Sequence, residues 1–230
     1  MDDEEEITAD LLHEMAAYYR ARAPEYDAWF ERRERRDRGP AENDRWFAEV
    51  TPVFAALDDL AMGGHVLELA AGSGIWTERL LRTAATVTAV DVAPEMLALN
   101  RARNGEDRVR YILADLFTWR PDQVYDGVCL AFWLSHVPRE RLDAFLDLVA
   151  AALNPGGRLF FVDSKRQQQP VSGLASQVVE RRLNHGRAFR IVKSLHEPDD
   201  LVAHAARAGL EIRVQETASI FMFGSGIRRR

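Results

Sequence analysis

The chain has 230 residues, of which 47% are hydrophobic, and 30 Lys and Arg stand against 36 Asp and Glu for a formal net charge of −6. That length suits one well-buried domain with appendages rather than two domains. The acidic balance gives no bulk attraction to nucleic acid or to an anionic membrane, so the expected partner is a small molecule.

The single cysteine, Cys129, excludes a disulfide framework within the chain and suits a reducing cytoplasm. The stretch Met1–Glu6 is acidic and lacks the apolar core of a signal peptide. Residues 1–7 read as disordered, and no apolar stretch is long enough to cross a bilayer.

Thr8 can cap a helix whose apolar positions Leu11, Leu12, Met15, Ala16 and Tyr19 fall at helical spacing. Pro24 is expected to break that helix. The segment around it, Tyr18-Tyr19-Arg20-Ala21-Arg22-Ala23-Pro24-Glu25-Tyr26-Asp27, reads either as a surface arm with aromatic anchors or as a lid. Residues 31–38 mix both signs of charge and read as a solvated face or linker. After Gly39-Pro40 a helical stretch runs from Glu42 to Leu60, where Pro52 is a site for a kink or a division.

Past Gly63-Gly64 the pattern alternates. Strands are expected at Val66–Ala70, Val87–Val90, Val109–Leu113, Gly127–Phe132 and Arg158–Val162, with helices at Ile75–Arg82, Ala93–Arg103 and Arg139–Leu153 between them. This rhythm predicts a doubly wound α/β fold with a mainly parallel sheet covered on both faces. Such sheets bind ligands beyond the carboxyl ends of their strands. Residues 164–173 read as a loop, Leu174–Leu183 as a helix and Ala188–Val192 as a short strand. Pro198 opens another helix, capped by Gly209. Glu211–Thr217 and Ile220–Phe223 alternate as two antiparallel strands.

The chain is organised around residues 65–77, where an apolar strand ends in Ala70-Ala71-Gly72-Ser73-Gly74 and a helix follows. The glycines let a ligand approach the main chain, and the helix start offers unpaired N–H groups. Gly72 and Gly74 supply two glycines of a dinucleotide fingerprint, but Thr77 occupies the third position, so a nicotinamide-dependent oxidoreductase is disfavoured. Asp91 ends the second strand, where a carboxylate accepts both hydroxyls of a ribose; as a plain structural residue it would be a helix N-terminal acid.

Val66-Leu67-Glu68-Leu69-Ala70-Ala71-Gly72-Ser73-Gly74 resembles the signature motif of class I S-adenosylmethionine-dependent methyltransferases of the small-molecule type. Four further stretches match in order: Val90-Asp91-Val92-Ala93-Pro94-Glu95-Met96-Leu97, Ala114-Asp115-Leu116-Phe117, Tyr125-Asp126-Gly127-Val128 and Leu153-Asn154-Pro155-Gly156-Gly157-Arg158-Leu159. Ala70 departs from the glycine that many members carry. The resemblance implies a Rossmann-like fold with a seven-stranded sheet closed by a C-terminal antiparallel hairpin. It divides the chain into an N-terminal arm or lid over 1–45 and a methyltransferase domain over 46–230, with a substrate-covering insert around 164–196.

The same resemblance implies S-adenosylmethionine as cofactor. Glu68 and the backbone of Ala70, Gly72 and Gly74, with Trp76 behind them, would hold its methionine part. Asp91 would take the ribose, Val92 and Met96 the adenine ring, and Asp115 with Leu116 the adenine amino group. Phe132 and Trp133 would line the sulfonium, a place that suits aromatic faces, or would simply be core. Tyr19, Arg22 and Tyr26 would close over cofactor and substrate.

The leading general base is His136, just beyond the fourth strand, whose ordinary pKa near 6.5 suits the removal of a hydroxyl proton. The alternative is a loop histidine bonded to backbone. His185 and His196 are weaker candidates, and His13, His65 and His204 weaker still. Lys165, Arg166 and Arg190 could meet an anionic acceptor or be ordinary surface charge. No His/Cys/carboxylate spacing suggests a metal. A non-catalytic cofactor-binding scaffold is the remaining alternative, because fold alone does not guarantee turnover. Oligomeric state and acceptor are not legible in the sequence.

Overall fold

The computed structural model describes residues 7–165 and 177–230. The expectations for residues 1–6, for Arg166, for most of the 164–173 loop and for the start of the 174–183 helix lie outside the described residues.

Helices α1 (Ala9–Phe30) and α2 (Pro40–Leu60) precede the sheet. Thr8 caps α1 by accepting a hydrogen bond from Leu11 N at 3.2 Å. Contrary to expectation, α1 runs through Pro24 and α2 through Pro52. A proline removes one helix bond and adds a steric clash. Burial on both sides of Pro24, by Leu11, Met15 and Tyr18 before it and Ala28 and Phe30 after it, outweighs that loss.

The alternating segment then gives β1 (His65–Leu69), α3 (Ile75–Leu80), β2 (Thr86–Asp91), α4 (Pro94–Asn104), β3 (Val109–Leu113), β4 (Tyr125–Ala131), α5 (Leu142–Ala152) and β5 (Leu153–Ser164). After the undescribed stretch come β6 (Val178–Arg182), β7 (Ala188–Val192), α6 (Pro198–Arg207), β8 (Leu210–Glu216) and β9 (Phe221–Arg228). Seven strands form one sheet in the order β3-β2-β1-β4-β5-β9-β8. The pairs from β3 to β5 are parallel, and β9 joins β5 and β8 antiparallel. This is the expected doubly wound sheet with its C-terminal hairpin.

Period-two alternation splits the core into two layers. Val66, Cys129, Phe160 and Val162 face one side and pack with Val53 and Leu57 of α2 and Leu80 of α3. Leu67, Leu69, Val128, Leu130 and Phe161 face the other and pack with Phe145 and Val149 of α5 and Leu201 and Ala205 of α6. Leu11, Met15 and Tyr18 of α1 join this second layer.

The helix expected over Leu174–Leu183 is corrected where it is described: Val178–Arg182 is a strand, paired antiparallel with Ala188–Val192. The turn between them contains Gly186 at φ +93°, a left-handed position that suits a hairpin connection. Residues 31–38 hold only a short 3-10 turn at Glu34–Arg36. Among the described residues no helix is long and apolar enough to cross a membrane.

Candidate active site

The switch from β1 to β4 in the strand order puts the carboxyl ends of β1, β2 and β4 around one crevice. The β1–α3 turn forms one wall. Its backbone alternates left-handed residues: Ala70 at φ +55°, Gly72 at +54° and Gly74 at +89°. Ala70 stores strain that glycine would not, which is the physical content of its departure from the family pattern. At Gly74 a Cβ would lie within 2.6 Å of the side chains of Asn100 and Asn104, so space as well as φ demands glycine.

A buried polar network braces this turn from behind. Thr77 Oγ1 donates to Glu68 Oε2 at 2.5 Å, Asn100 Nδ2 to Thr77 Oγ1 at 2.8 Å, and Asn104 Nδ2 to Asn100 Oδ1 at 2.9 Å and to Gly74 O at 3.0 Å. Glu68 is 1% exposed, and burial pushes its carboxyl up to about 8 against the Thr77 hydrogen bond. Glu68, expected at the cofactor, is not among the residues that line the crevice. Its Oε2 is held by the Thr77 hydroxyl. Gly74 and Trp76 do not line the crevice either: Gly74 shapes the turn, and the Trp76 ring packs in the core against Phe54 at 4.8 Å and Phe132 at 6.2 Å.

The crevice is a cavity of about 310 Å³. Ala70 and Gly72 line it from the turn, Asp91, Val92 and Met96 from the β2–α4 corner, and Asp115 and Leu116 from beyond β3. Phe132, Trp133 and His136 line it from beyond β4, and Tyr19 and Tyr26 from α1. Leu12, Met15 and Phe117, which the sequence reading did not assign to the site, line it too.

Asp91 is 7% exposed. Its two oxygens accept from Gly72 N and Ala93 N, each at 2.8 Å, and lone pairs remain on the cavity side. Burial raises its carboxyl above the usual range, and the backbone N–H groups of Ala93, Gly72 and Val92 oppose that shift. Asp115 Oδ1 accepts from Phe117 N at 2.9 Å, while its other oxygen has no partner among the described residues. Trp133 Nε1 is buried without a hydrogen-bond partner among the described residues. An orphaned indole donor in a cavity wall is a group awaiting an acceptor. Phe132 sits at φ +57°, a strained backbone that turns its ring into the crevice while its N–H bonds Val162 O at 2.7 Å.

His136 is 5% exposed on a short 3-10 turn after β4. Its Nδ1 is 2.6 Å from Val192 O, and its Nε2 is 2.7 Å from the Tyr19 hydroxyl. A carbonyl only accepts, so Nδ1 carries the hydrogen and Nε2 offers its lone pair to the Tyr19 O–H. Burial, then the charge of Lys193, lowers the imidazole to about 3. Burial raises the Tyr19 phenol well above its ordinary range. The pair is therefore neutral near pH 7. His136 is not the freely titrating base that its ordinary pKa implied, because its surroundings remove the charged form.

A second cavity, of about 400 Å³, adjoins the first and shares Tyr19, Tyr26, Phe132 and His136 with it. Arg22 lines this second cavity rather than the first, with its guanidinium against the rings of Tyr26 at 5.0 Å and Trp29 at 5.4 Å.

Of the other candidates among the described residues, all but His13 fall outside both cavities. His185 is exposed and His65 bonds Thr86 at the amino end of β1. His196 bonds Leu134 O, and His204 bonds Asp143 on the helical face. His13 is at the first cavity's exposed mouth. Lys165 is buried on Thr217 O and Glu216, and Arg190 pairs with Glu14 at 3.0 Å. Among the described residues no group of three or more His, Cys, Asp or Glu could hold a metal ion.

Residues 66–157 match a family model described as a methyltransferase domain. The chain is 31% identical over 157 residues to a ubiquinone biosynthesis O-methyltransferase of Xylella fastidiosa (strain 9a5c), covering 65% of this chain and 62% of that protein. It is 37% identical over 105 residues to a demethylmenaquinone methyltransferase of Tropheryma whipplei (strain Twist), covering 42% and 40%. The match thus spans less than two thirds of either curated relative. Among solved structures, the DhpI-SAM-HEP complex is 36% identical with a TM-score of 0.79, covering 96% of this chain and 99% of that one.

Proposed function

From the premise that this chain belongs to the class I S-adenosylmethionine-dependent methyltransferases, we propose that it transfers a methyl group from S-adenosylmethionine to an oxygen or nitrogen of a small-molecule acceptor. The observation that carries this reading is the pair of joined cavities: a cofactor-sized crevice beyond the strand ends, opening past an aromatic neck into a second chamber.

The residues of the first cavity fit the family's cofactor. Asp91 has lone pairs left for ribose hydroxyls, Asp115 has an unpartnered oxygen for an adenine amino group, and Val92, Met96 and Leu116 offer an apolar slot between them. The unpartnered Trp133 Nε1 offers a donor. The faces of Phe132, Tyr19 and Tyr26 suit a cationic sulfonium. When bound, S-adenosylmethionine supplies an electrophilic methyl group whose carbon–sulfur bond breaks, the electron pair staying on sulfur, as the bond to the acceptor forms.

The protein's part is mostly alignment. Tyr19, Phe132 and His136 line both cavities and so form the neck at which transfer takes place. For a hydroxyl acceptor, the Tyr19 oxygen accepts the hydrogen bond of that hydroxyl while its own O–H stays on His136 Nε2 along the existing 2.7 Å bond, so the pair aligns the attacking oxygen. For an amine acceptor the same pair orients the lone pair. Helix α1 serves as the lid, since Leu12, Met15, Tyr19 and Tyr26 roof the first cavity.

Incubating the full chain with methyl-labelled S-adenosylmethionine and a fractionated small-molecule extract tests the reading. Label should leave the cofactor and appear in a small-molecule product. Tight cofactor binding with no label transferred to any fraction would point instead to a binding or scaffold protein.

A further inference from the structure

The two cavities differ in charge. The first is lined chiefly by apolar and aromatic groups. The second is lined by five cationic side chains, Arg22, Arg36, Arg181, Arg182 and Lys193, against one carboxylate, Glu180. A protein of net charge −6 has gathered a strongly positive chamber behind its aromatic neck.

The counter-charge is incomplete. Glu180 is taken by Arg182 at 2.7 Å. Lys193 Nζ donates to Ser135 Oγ at 2.6 Å and lies 3.4 Å from Asp163 Oδ1. Asp163 is itself held by Ser135 N at 2.9 Å and Ser135 Oγ at 2.8 Å. Arg22, Arg36 and Arg181 have no ion pair among the described residues. The Nε atoms of Arg22 and Arg36 are buried without a hydrogen-bond partner among the described residues. Lys193 also feels the charges of both Arg181 and Arg22, which lower its pKa after burial has done so and oppose the effect of Asp163. Like charges converging on one concave surface repel, and an anion placed among them removes the repulsion while taking up the unused N–H donors.

We propose that the second cavity takes an acidic acceptor, whose carboxylate or phosphoryl oxygens are anchored by Arg181 and Lys193 with Arg22 at the junction of the two chambers. The proposal rests on the methyltransferase reading and names the substrate class of that site. The oxyanion anchors the molecule, and its methyl-accepting atom lies toward the neck formed by Tyr19 and Phe132. The guanidinium groups suit this task, since their fork of donors matches two oxygens of one acid group. Arg22 borders the cofactor chamber and also suits the cofactor's own carboxylate. Arg181 and Lys193 line the second cavity alone, so they are the specificity residues.

Calorimetry on the full chain saturated with S-adenosylhomocysteine tests this, with inorganic phosphate and then benzoate against benzamide as probes. The anions should bind at one site, and benzamide at least about tenfold more weakly than benzoate. Arg181→Gln should weaken both anions about fivefold or more while leaving the affinity for S-adenosylhomocysteine unchanged. Arg36→Gln, at the edge of the same chamber, should show a smaller loss in the same direction. Equal binding of benzoate and benzamide, or unchanged anion affinity in Arg181→Gln, would overturn the proposal. If S-adenosylhomocysteine fails to bind while the anions bind as described, the methyltransferase reading falls and the anion site stands.

Discussion

The Tyr19 hydroxyl and His136 Nε2 lie 2.7 Å apart, joining the first helix to the turn after β4 across 117 residues of sequence. The Val192 carbonyl fixes the imidazole from the other side at 2.6 Å. The histidine is thus held in one tautomer, and its lone pair is reached through a tyrosine.

The first consequence concerns pH. Burial first, then the charges of Lys193 and Arg22, bring the His136 pKa down to about 3, against the opposing effects of Asp163 and the Val192 carbonyl. Between pH 5 and 8 it stays neutral. The profile of kcat/KM against pH should therefore lack an ionisation near 6.5 that belongs to this residue. A limb near pH 6.5 that disappears in His136→Gln would contradict this arrangement.

The second concerns coupling. Tyr19→Phe and His136→Ala should each lower kcat by about 10–100-fold on a hydroxyl acceptor. The double variant should be no slower than the worse single one, because the two groups act as a unit. Additive losses would show that they act separately.

Stability should carry an opposing pair of pH dependences. His136 has a folded pKa depressed from 6.5 to about 3, so its contribution is complete above pH 6.5 and is lost as pH falls through that window. Glu68 is raised from 4.5 to about 8. The folded chain keeps the carboxyl protonated where the unfolded chain does not, so this contribution is complete below pH 4.5 and is lost as pH rises toward 8. Glu68→Gln keeps an oxygen for Thr77 and removes the ionisation. It should recover at least about 1 kcal/mol of stability at pH 8 relative to pH 5, the worth of less than one pKa unit. Denaturant titrations of both chains at the two pH values measure it, and parallel losses in the two would refute the assignment.

Gly74 gives a test of the turn. Gly74→Ala adds a Cβ within 2.6 Å of Asn100 and Asn104 at a φ of +89°. Strain and overpacking together should cost about 2 kcal/mol or more. Cofactor affinity should fall with it, because the Asn104–Gly74 bond that braces the loop is disturbed. A variant as stable as the parent would mean that the braced conformation is not maintained in solution.

The strands of the parallel sheet and the turn after β1 were legible because they are written in local terms: period-two apolar runs, small residues at strand ends and an acid at Asp91. The β6–β7 hairpin was half legible. Val178-Val179 and the Asn184-His185-Gly186 turn before Phe189 and Ile191 are hairpin signals, yet the run from Leu174 to Leu183 also fits a helix, and pairing with β7 decides between them. Glu68 was legible as an acid in a strand but not as a brace, since Thr77, itself held by Asn100, reaches it only in the folded chain. The cationic chamber was the least legible. Lys165, Arg166 and Arg190 drew attention by lying in or near the insert. Of these, Lys165 and Arg190 are paired elsewhere, while Arg22 and Arg181 are brought together from distant elements.

Binding of S-adenosylhomocysteine by the intact chain and by Asp91→Ala, read by calorimetry, tests the central claim most directly. Asp91 accepts from Gly72 N and Ala93 N while keeping lone pairs for two ribose hydroxyls, so its loss removes charge-assisted hydrogen bonds and loosens the turn. The account predicts one site in the parent chain and an affinity at least about tenfold weaker in the variant. No binding to the parent chain, or the same dissociation constant in both, would contradict it.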